Sequence, residues 1–559
     1  MPSKDNRFRR RALQQFSSLH HEHPSYQWWV LANVMIGTFM AVLDATIVNV
    51  ALPKIMAAFG VGVDKVEWVL TAYLLVFAVM LPSSGWVADH FGYKRTYMSA
   101  LLLFTIGSFL CGIAWDENAL IIFRIVQGAG AGFMMPVGMA IVTREFPPNR
   151  RGIALGFWSI AAAASVSLGP LVGGYLIDHF SWHMIFDVNV PVGLMGIFAT
   201  YVIQREYKTE HVRSFDFGGF ISMSVFLTSL LLALSNGNSA WNTGGWSSPF
   251  IVGCFIVAGI SFTSFFIIES IVEHPIIDLS LLKNFNFGMT NIVLFIFGLG
   301  MFGSTFLLPL YLQNSLGYTA FQAGLVFLPT GILQGLISPV AGIISDRGNP
   351  KIPAAIGIVL LALSLYLNYF LSVYSEHMQI MIPLYIRGVA MGLVFTPLST
   401  LALSEIPRHK MAQASGLFNV IRQVGGSFGV ALLGAMLTRR MIFHLAAYGQ
   451  TVDQYSAPFK AAVANTQNFA QHVTGGNAAL AASRARTLVF GSISDQAFVA
   501  AIADDFLIAA AITALCLIPV LFLRVHSRKD RNRAAAGAQH IPEDAQSLPE
   551  DAQDIPGLE

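Results

Sequence analysis

The chain has 559 residues, of which 55% are hydrophobic and only 11% are charged, and its mean hydropathy is +0.61. Soluble globular proteins carry about 25% charged residues, so this composition excludes that class and indicates an integral membrane protein. The net charge of +2 gives no indication of a nucleic-acid partner. Cys111, Cys254 and Cys516 all lie in apolar runs, without the spacing of a disulfide framework or a metal site.

Fourteen apolar runs are long enough to cross a bilayer, which takes about 20 residues, so we predict an all-α membrane protein. The first run is too long for the apolar region of a cleavable signal peptide, and we expect it to remain as span 1. An even number of spans puts both chain ends on one side of the membrane. The predicted spans are 28–52, 67–88, 97–115, 119–142, 153–176, 184–203, 216–235, 249–271, 288–312, 321–344, 353–373, 379–403, 412–437 and 505–524.

The distribution of basic residues predicts the orientation. Lys and Arg are concentrated in the two tails and in every second connection between spans, whereas the short connections on the other side hold only Lys54 and Lys65. Connections rich in Lys and Arg stay on the cytoplasmic side. Both termini are therefore predicted to be cytoplasmic, in a multi-pass protein of a bacterial inner membrane.

An internal repeat divides the chain. The pattern Pro-x-x-Gly-x-x-x-Asp occurs at residues 82–89 and again at residues 339–346, and further glycine pairs recur at almost the same offset. Repeats of this kind place a substrate site near the membrane midplane, between the two halves. The predicted division is an N-tail (1–27), a six-helix half (28–203), two inserted helices (204–283), a second six-helix half (284–524) and a disordered C-tail (525–559).

The second half is interrupted by residues 438–504, which we predict to be a periplasmic loop between spans 13 and 14. A segment of this length is too long for an idle connector. We expect it to form a helical hairpin.

Asp44 lies deep in span 1, within the sequence LDATIVNVALP. A carboxylate at that depth costs about 2.5–3.5 kcal/mol or more in hydrocarbon, so an acid found there usually has a function. We predict that Asp44 is the proton-binding site of an ion-driven exporter.

The sequence GWVADHFGYKR closes span 2 and forms the turn to span 3. It resembles the signature of the major facilitator superfamily in this connection. That resemblance implies a gating loop that controls the switch between inward-open and outward-open states. The alternative is an ordinary charged turn. The matching residues are Gly85, Asp89, Gly92, Lys94 and Arg95.

Span 4 contains Arg124, followed by Gln127 and the small-residue pair Gly128 and Gly132. The same superfamily carries this Arg-x-x-Gln-Gly pattern, and the resemblance assigns Arg124 to proton transfer. A guanidinium close to a carboxylate favours the ionised carboxylate, so movement of Arg124 would control proton binding at Asp44. The alternative is that Arg124 extends to the periplasmic surface.

Span 5 contains a motif of small residues and one proline, which makes a helix that can kink. It resembles the motif found in exporters of the superfamily rather than in importers, although a serine stands where the first glycine is usual. The alternative is a structural kink without meaning for the direction of transport. The motif residues are Ser165, Gly169, Pro170, Gly173 and Gly174.

Span 13 carries a polar face made of Ser415, Asn419, Arg422 and Gln423, whose spacing places them on one side of a helix. An arginine near the midplane needs an interior cavity or a partner. We predict that Asn419, Arg422 and Gln423 line the substrate pathway. A polar contact between helices is the alternative, and Arg387 in span 12 fits either role.

Taken together, the motifs resemble the fourteen-span drug:proton antiporters of the EmrB/QacA type, over residues 25–445. The sequence MLTRR at 436–440 and the long segment after it are closer to the EmrB branch. Resemblance to that branch implies a periplasmic adaptor protein and an outer-membrane channel as partners.

The predicted function is proton-driven efflux of hydrophobic drugs, with the proton gradient as energy source and no cofactor. Three arginines and one acid, Asp44, lie deep in the spans, which favours neutral or weakly acidic substrates over dications. A narrow exporter of one endogenous metabolite is the alternative within transport. A membrane enzyme has no support, since no metal-ligand cluster, nucleophile motif or Walker A sequence is present. A binding or sensor protein is the third functional alternative.

Overall fold

The computed structural model describes residues 25–208, 214–239, 241–273, 275–407, 410–451, 457–473 and 478–524. Within these ranges every regular element is a helix, and fourteen helices are long and apolar enough to cross a membrane. The predicted all-α architecture with fourteen spans is thereby confirmed. The predicted disordered C-tail lies outside the described residues, as does nearly all of the N-tail.

We number the spanning helices α1 to α14 in chain order and call the side that carries both described chain ends the termini side. The short helical turns Met184–Asp187 and Leu517–Phe522 adjoin α6 and α14. The helices are α1 (Tyr26–Phe59), α2 (Val63–Phe91), α3 (Tyr93–Gly112), α4 (Glu117–Glu145), α5 (Arg151–His179), α6 (Asn189–Ile203), α7 (Phe217–Asn236), α8 (Pro249–Ile271), α9 (Phe285–Asn314), α10 (Ala320–Arg347), α11 (Lys351–Leu367), α12 (His377–Leu403), α13 (Met411–Thr451) and α14 (Ala478–Leu515).

Polar side chains cap the N-termini of several of these helices, because the first backbone N–H groups of a helix have no partner within it. Asp116 accepts a hydrogen bond from the Ala119 N–H at 2.7 Å at the start of α4. At the start of α10, Thr319 and Gln322 each accept a hydrogen bond from the other's backbone N–H. These side chains thus satisfy backbone donors that the helices leave unpaired at their starts.

Helix α5 of the first half packs along the whole length of α10 of the second half. On the termini side, a Cβ on Gly342 would stand 2.3 Å from the carbonyl oxygen of Gly152. On the far side, a Cβ on Gly174 would stand 3.1 Å from the Phe321 ring. The two backbones come this close because small residues line the contact.

The second contact between the halves joins α2 to α13 on the termini side, where Gly85 packs against the backbone of Gln413. Further along these helices, α7 of the inserted pair contacts both of them. Leu231 of α7 packs with Leu75 of α2, and Leu234 packs with Ala431 of α13. The inserted helices are thus attached at the junction between the halves.

Residues 438–504 differ from the predicted loop, because their described parts are helical. Helix α13 continues to Thr451, a separate helix covers Ala457–Val473, and α14 already begins at Ala478. The helical content agrees with the predicted hairpin, whose connecting turns lie outside the described residues. Span 13 was predicted to end at residue 437, where hydropathy falls before Arg439 and Arg440, whereas the helix itself continues to Thr451. Asp504 binds Arg440 and His444 and so joins the two extended helices.

Candidate proton-coupling site

Asp44 lies on α1 with no exposed surface, and three side chains donate hydrogen bonds to its carboxylate. Arg124 of α4 donates through Nη1 to Oδ2 and forms a completely buried ion pair. Gln127 donates from Nε2 to Oδ1 at 2.8 Å. Asn189, at the start of α6, donates to the same oxygen at 3.2 Å. Both carboxylate oxygens therefore have partners, as burial requires.

The guanidinium of Arg124 is held by groups besides Asp44. Its Nε donates to the carbonyl oxygen of Val69 at 3.1 Å, and Nη1 also donates to Gln127 Oε1 at 2.7 Å. The cation lies 4.1 Å from the centre of the Tyr73 ring, a distance at which it is attracted to the ring face. In this conformation Arg124 points inward, so the alternative in which it extends to the surface does not describe it.

Ser108 on α3 connects the donors of this site. Gln127 Nε2 and Asn189 Nδ2 both lie within hydrogen-bond distance of its hydroxyl, at 3.0 and 3.1 Å. The hydroxyl in turn donates to the Phe186 carbonyl at 2.9 Å. Groups of α1, α2, α3, α4 and α6 thus meet around the ion pair of Asp44 and Arg124. Tyr73, Ser108 and Asn189 were not predicted as site residues, although a polar side chain in each apolar run was the available signal.

The burial of this pair determines what it can do chemically. Removing one partner of a buried ion pair costs about 3–5 kcal/mol, because the other charge is left uncompensated. Protonation of Asp44 has the same electrostatic effect as removing its charge. Arg124 would then need another partner or access to water, so a proton at Asp44 favours a different arrangement of α1 and α4.

The motif on α5 faces the helix that carries Asp44. A Cβ on Gly169 would stand 2.1 Å from Thr46 Oγ1, and one on Gly173 would stand 2.8 Å from Ile47 Cγ1. Ser165, which replaces the usual first glycine, donates to the Phe39 carbonyl of α1 at 2.9 Å. Glycine at these positions lets α5 approach α1 within one turn of Asp44.

The other face of the same motif contacts the second half. A Cβ on Gly324 of α10 would stand 2.5 Å from Pro170, and Gly174 lies against Phe321. Helix α5 is therefore packed between the proton-site helix on one side and the opposite half on the other. This position allows a change at Asp44 to reach the contact between the halves.

In the predicted gating loop, the basic residues bind Glu206, which follows α6. Lys94 donates from its backbone N–H to Glu206 Oε1 at 3.1 Å, and Arg95 Nε lies 3.5 Å from Oε2. Burial raises the pKa of Glu206, and these two cations oppose the shift. Gly92 has a φ of 97°, which favours glycine, and Asp89 accepts a hydrogen bond from the Tyr93 hydroxyl at 2.9 Å. The gating role itself stays a prediction.

The repeat of that loop in the second half provides a direct contact between the halves. Asp346, at the end of α10, accepts hydrogen bonds from the backbone N–H groups of Gly152 at 2.8 Å and Ile153 at 2.9 Å. These groups belong to the first turn of α5, where the helix dipole favours an anion. In the sequence, Asp346 is recognisable as a repeat residue, but no role was predicted for it.

Two of the three predicted pathway residues on α13 contact one another. Arg422 Nη2 donates to Asn419 Oδ1 at 3.1 Å, and the Arg422 cation lies 5.5 Å from the centre of the Phe395 ring. Asn419 also lies 3.9 Å from Met139 Sδ of the first half. Gln423, one turn beyond Asn419 on the same helix, is half-buried. The contact with Met139 puts this polar face at the junction of the halves.

Arg387 is the third arginine inside the spans and has no acidic partner among the described residues. It donates through Nη2 to the Thr305 hydroxyl and to the Met301 carbonyl of α9, and its Nη1 is buried without a partner there. The second half therefore holds positive charge at two positions inside its spans, buried Arg387 and half-buried Arg422. Over the same described residues, no group of three or more His, Cys, Asp or Glu side chains could hold a metal ion.

Two six-helix halves that meet through small residues, with one buried ion pair among their spans, define a membrane transporter rather than an enzyme. The chain belongs to the major facilitator superfamily, since the sequence profile described as Major Facilitator Superfamily matches residues 34–430. It is of the EmrB type, as its similarity to proteins of that name shows. It is 34% identical over 424 residues to the multidrug export protein EmrB of Haemophilus influenzae, a match that covers 75% of this chain and 82% of that protein.

A second relative is the fatty acid resistance protein FarB of Neisseria gonorrhoeae, which is 29% identical over 497 residues, 89% of this chain and 95% of FarB. Among solved structures, a double tryptophan mutant of XylE is similar, with a TM-score of 0.59 at 13% identity. That match covers 92% of this chain and 99% of XylE, and it shows the fold alone.

Proposed function

We propose that this protein exports hydrophobic drugs across a bacterial inner membrane and is driven by the proton gradient, with no cofactor. The relative named as a multidrug export protein supports drug efflux. The observation that carries proton coupling is the buried pair of Asp44 and Arg124, whose charges balance only while Asp44 is ionised. The basic residues of the tails support cytoplasmic termini.

In the proposed cycle, a proton from outside neutralises Asp44 and releases Arg124 from it. Helix α1 then shifts against Gly169 and Gly173, and α5 transmits the shift to α10 of the other half. The halves reopen toward the cytoplasm, where the proton leaves and substrate enters. Re-formation of the ion pair with Arg124 restores the outward-facing arrangement.

The proposed substrates are hydrophobic and neutral or weakly acidic. Arg387 and Arg422 leave the second half with positive charge inside its spans, and Arg422 lies near the junction through Asn419. This charge opposes a dication and attracts an anion. The relative named as a fatty acid resistance protein supports the same preference. The alternative is a narrow exporter of one endogenous metabolite. A panel of structurally unrelated compounds separates the two, because only a drug exporter transports several of them.

The test uses the full chain in proteoliposomes with an imposed pH gradient and a hydrophobic fluorescent substrate. Asp44→Asn keeps the size of the side chain and removes the titrating proton. We expect substrate binding to persist and gradient-driven transport to fall to the level without a gradient. The control is Asn49→Ala on the same helix, since exposed Asn49 bonds only the backbone of its own turn. Uphill transport at the normal rate by Asp44→Asn excludes the proposal.

We also propose a periplasmic adaptor protein and an outer-membrane channel as partners, on the basis of the EmrB type. The extended ends of α13 and α14 project beyond the predicted spans and offer the surface for such a contact. A photo-crosslinker at exposed Arg484 in native membranes should capture an adaptor-class protein. If only lipid and this chain itself are captured, there is no adaptor at this surface.

A further inference from the structure

The second half contains a buried carboxyl that the site described above does not use. Asp505 on α14 has no exposed surface, and neither of its side-chain oxygens has a hydrogen-bond partner in the described part of the chain. Its neighbour Asp504 binds both Arg440 and His444. Two adjacent acids on one helix are therefore in opposite situations, one satisfied and one isolated.

Asp505 lies within the apolar part of the bundle. Ala509 and Thr513 of α14 pack on Gly300, which is midway along α9. Asp505 is about one turn beyond Ala509, which corresponds to roughly 6 Å along the helix. A bilayer core extends about 15 Å to either side of its centre, so this carboxyl is at a depth where water does not solvate it.

Among the described residues of the helices packed against α14, no cation is free to compensate an ionised Asp505. Helix α14 packs against α9, α11, α13 and the turn Asn368–Phe370. Neither α9 nor that turn contains a charged residue, and the one charge on α11, Lys351, is at the termini side. From α13, Arg440 and His444 face this region, and both are bound to Asp504.

The short helix Ala457–Val473 also packs against α14, but far from Asp505. Phe459 contacts Phe490 there, which is 15 positions before Asp505 and about 22 Å away along the helix. Exposed Lys460 beside Phe459 therefore does not reach Asp505. An ionised carboxylate in such a place costs several kcal/mol, and protonation removes most of that cost.

We propose that Asp505 is a second proton-binding carboxyl, which holds a proton in this conformation and lies in the half that lacks Asp44. The protonation of Asp505 does not depend on the proposed function; only the use of this carboxyl in transport rests on it. Separation of the outer ends of α13 and α14 would give Asp505 access to water and let it exchange its proton with the outside.

The experiment is infrared difference spectroscopy on the purified full chain, which detects the C=O stretch of a protonated carboxylic acid. The wild type minus Asp505→Asn should show one such band at neutral pH, whereas the wild type minus Asp504→Asn should show none. A titration from neutral to alkaline pH with an indicator dye should then detect one fewer released proton per molecule in Asp505→Asn than in Asp504→Asn. Equal bands and equal proton counts in both variants overturn the proposal.

A second variant keeps the proposal testable if Asp505→Asn misfolds. Asp505→Leu fills the site with an apolar side chain. If Asp505 is neutral and unpartnered, this substitution removes no charge or hydrogen bond, so we expect no loss of thermal stability. A lower Tm in Asp505→Leu together with an unchanged carboxyl band overturns the proposal. Failure of Asp44→Asn to stop transport would refute proton coupling at Asp44 and leave the Asp505 band unaffected, so the two proposals fail separately.

Discussion

Gly169 on α5 lies in direct contact with Thr46 on α1, two positions from Asp44. A Cβ added at Gly169 would stand 2.1 Å from the Thr46 hydroxyl oxygen, closer than any real contact. The same turn of α5 presents Pro170 to α10 of the opposite half. One helix turn therefore touches both the proton-site helix and the contact between the halves.

Gly169→Ala is expected to separate α1 from α5. Overpacking of this kind costs about 1–3 kcal/mol of stability, and we expect gradient-driven transport to fall at least tenfold while substrate still binds. Transport in proteoliposomes and equilibrium binding measure the two effects. The matched control is Gly253→Ala on α8, where an added Cβ meets nothing within 4 Å. Normal transport by Gly169→Ala would mean that the close approach is not needed.

Arg124→Gln is expected to destabilise the protein by about 3–5 kcal/mol, because Asp44 is left charged and buried without its cation. The double variant Asp44→Asn with Arg124→Gln should recover most of this loss, since neither charge then remains. Thermal unfolding of the four proteins in detergent gives the coupling between the two sites. Additive losses would show that the two charges do not interact energetically.

Asp346→Asn is expected to weaken the contact between the halves on the termini side. The variant loses the negative charge at the N-terminus of α5, worth about 1 kcal/mol, which corresponds to roughly a fivefold shift in population toward the arrangement open on that side. Spin labels at exposed Arg150 and Arg347 report the distance between the halves. Exposed Asp495→Asn is the control. An unchanged distance distribution would argue against this contact as a gate.

Arg422→Gln is expected to change the substrate preference rather than abolish transport. A hydrogen bond to a charged group is worth about 1.5–3 kcal/mol, so the affinity for weakly acidic substrates should fall at least tenfold. Affinity for neutral substrates should stay within about twofold, because they do not use the charge. Exposed Arg439→Gln on the same helix is the control. Equal losses for both substrate classes would assign Arg422 a structural role.

Several features could be predicted from the sequence because they depend on local properties of the chain. A run of about 20 apolar residues must form a helix in a bilayer, since its backbone groups have no other partners there. The fourteen spans and the depth of Asp44 follow from this rule. The end of α13 could not be predicted in the same way, because a helix outside the membrane need not be apolar.

The partners of each polar residue were decided only by tertiary structure. Arg124 lies 80 positions from Asp44, and Asn189 lies 145 positions away, so no local pattern relates them. Asp504 and Asp505 are identical in type and adjacent in the chain, but α14 turns one toward Arg440 and buries the other without a partner. Helix rotation and packing determine which polar groups meet, and these depend on contacts between distant segments rather than on hydropathy.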